Sequence, residues 1–206
     1  GSGAFFDYTT FGIQQEPIPV QSLRDGADVV LFSGDKLLGG PQCGIIIGKQ
    51  TCLDHINKHP LMRALRLDKT IYAALSATLD IYLGPHPEQH IPLLQLLIEP
   101  MDQLQQRAET TAKEIRINSS DELAIQTVSD TTFLGGGSVP GQEIATVCIV
   151  LEHQSISPDE ISRRLRTCET PLLGRIHDNR FTIDFRSVFA TEDSRIANAV
   201  IETLNA

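Results

Sequence analysis

Lys36 is the residue whose type and place first invite chemistry. It stands in LFSGDKLLGGPQCG, residues 31 to 44, between an apolar run and a glycine pair, with a second apolar run beyond. A lysine drawn toward a core loses hydration unless something uses its amine. Burial lowers the pKa of an ammonium and favours the neutral amine that attacks a carbonyl. That form is needed for a Schiff base with an aldehyde such as pyridoxal phosphate. Ser33 and Gly34 ahead of it suit a tight turn, and Gly39 and Gly40 behind it permit close backbone approach. By spacing alone, the commoner reading is a surface lysine whose stem lies along apolar neighbours.

Arg63 and Arg66, in HPLMRALRLDK, are three residues apart, an offset that puts two guanidiniums on one face of a helical turn. Two such forks can hold phosphate-like oxygens bidentately. A solvated helix face is the commoner reading of the pair. Cys43, Cys52, Cys148 and Cys168 have no CxxC spacing and no histidine pairs at zinc-ligand offsets, so no metal site is expected. They read as small buried apolar residues that need no disulfide framework, which suits a reducing cytoplasm. The six histidines form no ligand set, and His86 and His90 fall in the proline-broken PHPEQH. GIIIGKQT is one residue too short between Gly44 and Gly48 for a P-loop, and Gln50 replaces the required hydroxyl residue. FLGGGSVPG, residues 133 to 141, reads as a flexible connection between strands, with amide presentation to an anion as the other reading. Arg175 and Arg186 flank the last hairpin, where surface or strand-pair charge is the default and a carboxylate or phosphate the alternative ligand.

The elements that must position these residues fall into two kinds. ADVVLFSG and GIIIGK are uniformly apolar runs of the sort found in strands covered on both faces. LDHINKH suits a short helix, and DKTIYAALSATLDIYLG a longer one with Ile71, Leu75, Leu79 and Tyr82 on one face. Asp68 lies at its start, and Gly84 and Pro85 at its end, as a cap and breakers. Two more helices are expected within residues 92 to 115, the second a long connector. Beyond it, ELAIQTVSDTTF, ATVCIVLEH, PLLGRIHDN and RFTIDFRSV read as strands, and SPDEISRRLRT and TEDSRIANAVIETLN as helices. Ser157 and Pro158 suit cap and first-turn positions, and Asp178 and Asn179 a tight hairpin. The order predicts a small antiparallel sheet backed by two helices.

The totals set outer bounds. With 206 residues, 41% apolar and 21% charged, the chain reads as an ordinary soluble protein of one large or two small domains. Its net charge of −9 argues against a strongly basic nucleic-acid surface. No run approaches the ~18 apolar residues of a membrane span, so no membrane partner is expected. No signal-like leader opens it. The start at Gly1 reads as a processed, engineered or truncated product.

DVVLFSGDKLLGGPQCGIIIGK and HPLMRALRLDKTIYAALSATLDIYL resemble segments of bacterial selenocysteine synthases, the L-seryl-tRNA(Sec) selenium transferases, and LGRIHDNRFTIDFRSV does so more weakly. The resemblance implies an α/β chain in which residues 1–98 are part of an aminotransferase-like large domain (fold type I of the pyridoxal-phosphate enzymes). Residues 99–206 would hold the connecting helix and a small α+β domain with an antiparallel sheet. It implies pyridoxal 5'-phosphate as cofactor and a large homo-oligomer. Carried over by position, Lys36 joins the cofactor, Asp35 beside it aids protonation or positioning, and Arg63 and Arg66 bind the anionic group of the selenium donor. The implied substrates are seryl-tRNA(Sec) and selenophosphate, with water lost from the serine before selenium is added.

The family's chains are longer, with a tRNA-binding portion and the first half of the cofactor domain ahead of this point. The aspartate that pairs with the pyridine nitrogen falls just before GSGAFFDYTTFG. The 206 residues alone are therefore expected to bind the cofactor poorly, to catalyse nothing and to associate through uncovered apolar surface. The alternatives are a related pyridoxal-phosphate lyase acting on an amino acid or amino sugar, and a non-catalytic oligomerisation module.

Overall fold

Pro19 opens the first helix, α1 (Pro19–Arg24), at a position where its missing N–H has no intrahelical partner to lose. The computed structural model describes residues 1–14, 16–135, 137, 139 and 141–205. They form two compact units: Gly1–Ile98 with Phe133–Ile144, and Glu99–Thr132 with Ala145–Ala206. The described parts of the glycine-rich stretch thus return to the first unit, while residues 136, 138 and 140 lie outside the described residues.

In the first unit the two apolar runs become β1 (Val29–Ser33) and β2 (Gly44–Gly48), paired antiparallel with Val29 opposite Gly48 and Phe32 opposite Ile45. The expected cover on both faces is not found: Leu31 is 60% exposed, and no residue of β2 is fully buried. A uniformly apolar strand records that both faces can be buried, not what buries them. Two helices follow, α2 (Gln50–Lys58) and the four-residue α3 (Leu61–Ala64). Next comes α4 (Lys69–Leu83), bounded as the sequence predicts. The Asp68 carboxylate accepts from the Thr70 and Ile71 amides at 2.8 and 3.0 Å, and Gly84 ends the helix. Its Ile71, Leu75, Leu79 and Tyr82 face is half-buried, with Tyr72 and Leu83 exposed. Then α5 (Pro92–Ile98) turns Leu94 and Leu97 into a core with Tyr8, Ile13, Leu37 and Ile91.

The second unit begins with α6 (Met101–Asn118), whose Leu104, Ala108, Ala112 and Ile115 recur at helical spacing and are buried. Its sheet has the order β3 (Leu123–Thr132), β4 (Ile144–His153), β6 (Arg180–Asp184), β5 (Arg175–His177), where Ile144 itself groups with the first unit. The strands β4 and β6 run antiparallel, with Ile149 opposite Ile183, as do β5 and β6. Asp178 and Asn179 both take positive φ, 48° and 58°, and form the expected two-residue hairpin turn. The strands here are shorter than predicted. Gly174 already packs on Phe181, where an added Cβ would lie 2.5 Å from Cζ, and Asp184, opposite Cys148, is the last residue of the ladder, its carboxylate accepting from the Arg186 amide at 3.0 Å to start the turn that follows.

Three helices, not two, back this sheet. Ile161 and Leu165 of α7 (Pro158–Thr167) and Ile196, Val200 and Leu204 of α8 (Asp193–Leu204) share one core with α6, Val147, Ile149 and Phe181. The expected connector is thus a core helix. Arg107 on it also forks to both carboxylate oxygens of Asp193, at 2.7 and 2.9 Å, and reaches Glu99 at 2.7 Å. Among the described residues, no helix is long and apolar enough to cross a membrane.

Candidate functional site

Lys36 sits three residues past the end of β1, in a tight turn. The turn is closed by backbone bonds from Gly34 N to Cys43 O (2.9 Å), Gly39 N to Lys36 O (2.9 Å) and Gly40 N to Gly34 O (2.8 Å). A side chain at Gly34 would strike the Cys43 sulfur. At Gly39, where φ is 70°, a Cβ would come 2.6 Å from Ile91. Leu37 and Leu38, both fully buried, pin the far side of the turn.

The same two leucines are held through their backbone. The Leu37 amide donates to Ser2 O at 2.9 Å, the Tyr8 hydroxyl donates to Leu37 O at 2.6 Å, and the Tyr82 hydroxyl donates to Leu38 O at 3.0 Å. Phe6 stacks on Tyr8 at 5.0 Å, Phe11 meets it edge-on at 5.6 Å, and Phe5 lies 4.8 Å from Tyr82. Burial pushes both phenol pKa values up, which keeps them protonated and donating. The sequence places Tyr82 on the apolar face of its helix but gives neither tyrosine a part in the turn. The cluster of aromatic residues in GSGAFFDYTTFG was the available signal.

Around the turn lies a cavity of about 420 Å³, lined by Asp35, Lys36, the glycines 39, 40 and 135, and Pro92, Leu93 and Leu134 among others. The size is in the range of small-molecule sites. Lys36 is half-buried, and among the described residues its amine has no ion-pair or hydrogen-bond partner. A Cβ on Gly137 would stand 3.6 Å from that nitrogen, so Gly137 lies directly beside it. The shelter expected from a buried strand end comes instead from the turn and Gly137. Asp35 is exposed at the cavity rim. Burial, and then its charge, push the neighbouring Cys43 thiol up.

Arg63 and Arg66 do not share a helix face. The helix α3 stops at Ala64, because the chain must become extended at Asp68 (φ −81°, ψ 173°) to cap α4. Both arginines are exposed, neither lines the cavity at Lys36, and neither side chain has a partner among the described residues. Helix α4 rises about 21 Å between its cap next to Arg66 and Tyr82 at the turn.

In the second unit, Arg186 is buried and donates to the carbonyls of Ala145 (2.9 Å) and Glu99 (2.8 Å), with its pKa lowered by burial. Arg175 pairs with Asp130. Among the described residues, no group of His, Cys, Asp or Glu could hold a metal ion.

The architecture is a mixed α/β fold with antiparallel sheets. It is similar to the solved D-glucosaminate-6-phosphate ammonia-lyase, with a TM-score of 0.56 over 89% of this chain and 46% of that one, at 20% identity. Residues 1–189 match the family model of L-seryl-tRNA selenium transferase, and the chain belongs to that family. Curated relatives include L-seryl-tRNA(Sec) selenium transferases of Hyphomonas neptunium (39% identical over 91% of this chain and 40% of the relative) and Geobacter metallireducens (41% over 91% and 41%). Another, from Alkaliphilus oremlandii, is 39% identical over 99% of this chain and 44% of its own. The chain spans about two fifths of the length of these relatives.

Proposed function

We propose that this chain supplies the lysine-bearing part of a pyridoxal-phosphate enzyme that converts seryl-tRNA(Sec) to selenocysteinyl-tRNA(Sec) with selenophosphate. The observation that carries the reading is an unpartnered, half-buried amine at Lys36 facing a cavity with glycine walls. These residues fit the cofactor. Gly135, where an added Cβ would meet nothing within 4 Å, leaves room for a flat ring, and Leu93 and Leu134 present an apolar surface to it. When bound, the cofactor supplies an electron sink that lets the serine hydroxyl depart and selenium take its place.

Lys36 would hold the cofactor through its amine. Asp35, at the rim, is positioned to exchange protons with groups entering the cavity. Arg63 and Arg66, free of carboxylate partners, hold the anionic selenium donor. Their separation from the cavity along α4 makes a homo-oligomer part of the proposal, since a second copy can bring its arginines where one copy's helix keeps them apart. The 206 residues alone hold the cofactor weakly and turn nothing over. A lyase reading gains nothing from two unpaired arginines, and the likeness to the ammonia-lyase is one of fold.

The test joins this chain to the remaining N-terminal part of the Hyphomonas neptunium relative and measures selenium incorporation into seryl-tRNA(Sec). Activity in the joined protein, abolished by Lys36→Ala and reduced at least tenfold by Arg63→Ala or Arg66→Ala, is expected. Undiminished activity in Lys36→Ala overturns the proposal.

A further inference from the structure

The geometry points to Tyr8 and Tyr82 as positioning residues for Lys36, their hydroxyls fixing the turn that aims its amine into the cavity. This rests on the proposed role of Lys36. A lysine side chain has several freely rotating bonds, so its amine is placed only as well as the backbone beneath it. That backbone is held at three successive carbonyls: Lys36 O accepts from Gly39 N, Leu37 O from Tyr8, and Leu38 O from Tyr82. The two phenols come from far along the chain, 29 residues before Leu37 and 44 after Leu38.

Leu37 and Leu38 are fully buried, so a carbonyl that loses its phenol has no ready solvent donor, and at Leu37 the loss of Tyr8 leaves the more distant Tyr82 hydroxyl, at 3.5 Å. The turn then shifts to find another partner, since a buried unsatisfied acceptor is costly. The aromatic packing of Phe5, Phe6 and Phe11 holds the rings in place, so a phenylalanine at either site keeps the shape and removes only the hydroxyl. Core packing alone would explain two buried rings; it does not explain why both hydroxyls land on the consecutive carbonyls after the one unpartnered lysine of the cavity.

The test is capture of the lysines by pyridoxal phosphate, fixed with borohydride and mapped by peptide mass, in the 206-residue chain. Lys49, Lys58, Lys69 and Lys113 are internal references. Tyr82→Phe and Tyr8→Phe are compared with Ile13→Val, which thins the same core without removing a hydroxyl. The expected result is a fall of about fivefold in the ratio of Lys36 to reference capture in each tyrosine variant, with an unchanged ratio in Ile13→Val. Equal ratios in tyrosine and control variants of matched thermal stability overturn the inference while leaving the role of Lys36 standing. No preference for Lys36 in the parent chain overturns both. Should Tyr8→Phe unfold, all five lysines are captured alike, and Tyr82→Phe alone decides.

Discussion

The two units spend their apolar residues differently. The second is built around one continuous core that α6, α7 and α8 share with its sheet. In the first, burial is concentrated under the Lys36 turn, while α2 and α4 contain no fully buried residue and Leu83 is 84% exposed. The contrast teaches that order at a site does not require a fully covered domain. A turn can be fixed by glycines, two phenols and a few leucines, while the helices around it keep open faces for other surfaces.

The largest expected effect falls on the core of the second unit. Phe181→Ala removes a fully buried ring at the centre of the sheet and should cost about 3–5 kcal/mol, read as an earlier urea midpoint by circular dichroism. Next is Gly39→Ala in the first unit. A Cβ at positive φ that meets Ile91 should cost about 1–3 kcal/mol and reduce Lys36 capture more than overall helicity. Equal losses of helicity and capture would mean that the turn has no special standing within its unit.

Smaller still is a pH effect at α4. Bonds from Thr70 and from the Ile71 amide hold the Asp68 carboxyl below its usual range. A depressed folded pKa gives stability that is present above the ordinary carboxylate pKa and lost as pH falls through the lowered one. Helicity should therefore decline somewhat less in Asp68→Asn than in the parent on acidification below about pH 4, because the variant has already lost that contribution. Identical acid profiles would dissociate the cap from α4. The smallest effect is at Leu83→Ser, where stability should change by no more than about 0.5 kcal/mol. Self-association, measured by sedimentation, should weaken if this open face is a contact between copies.

Much of this was legible locally. Asp68 and Gly84 bound α4, Ser157 opens α7, and Asp178–Asn179 turn the hairpin, because caps and tight turns are set by residues a few positions apart. The glycines around Lys36 likewise announced a crowded turn. What escaped the sequence depends on distance. Nothing near Tyr8 or Tyr82 says that their hydroxyls end on Leu37 and Leu38, nor does the run from Phe133 show that Gly137 lies beside Lys36. The three-residue spacing of Arg63 and Arg66 suggested one helix face, but the competing need to cap α4 ended α3 between them. The family was legible because SGDKLLGG combines an unusual lysine with closely spaced glycines.

The most direct measurement is where pyridoxal phosphate attaches when the chain is saturated with the aldehyde and reduced. If the turn and its cavity select the amine, half-buried Lys36 carries more label than any other lysine, and Lys36→Ala leaves labelling of the others unchanged, although Lys49 is far more exposed. A label distributed according to exposure, with Lys49 ahead of Lys36, would contradict the account.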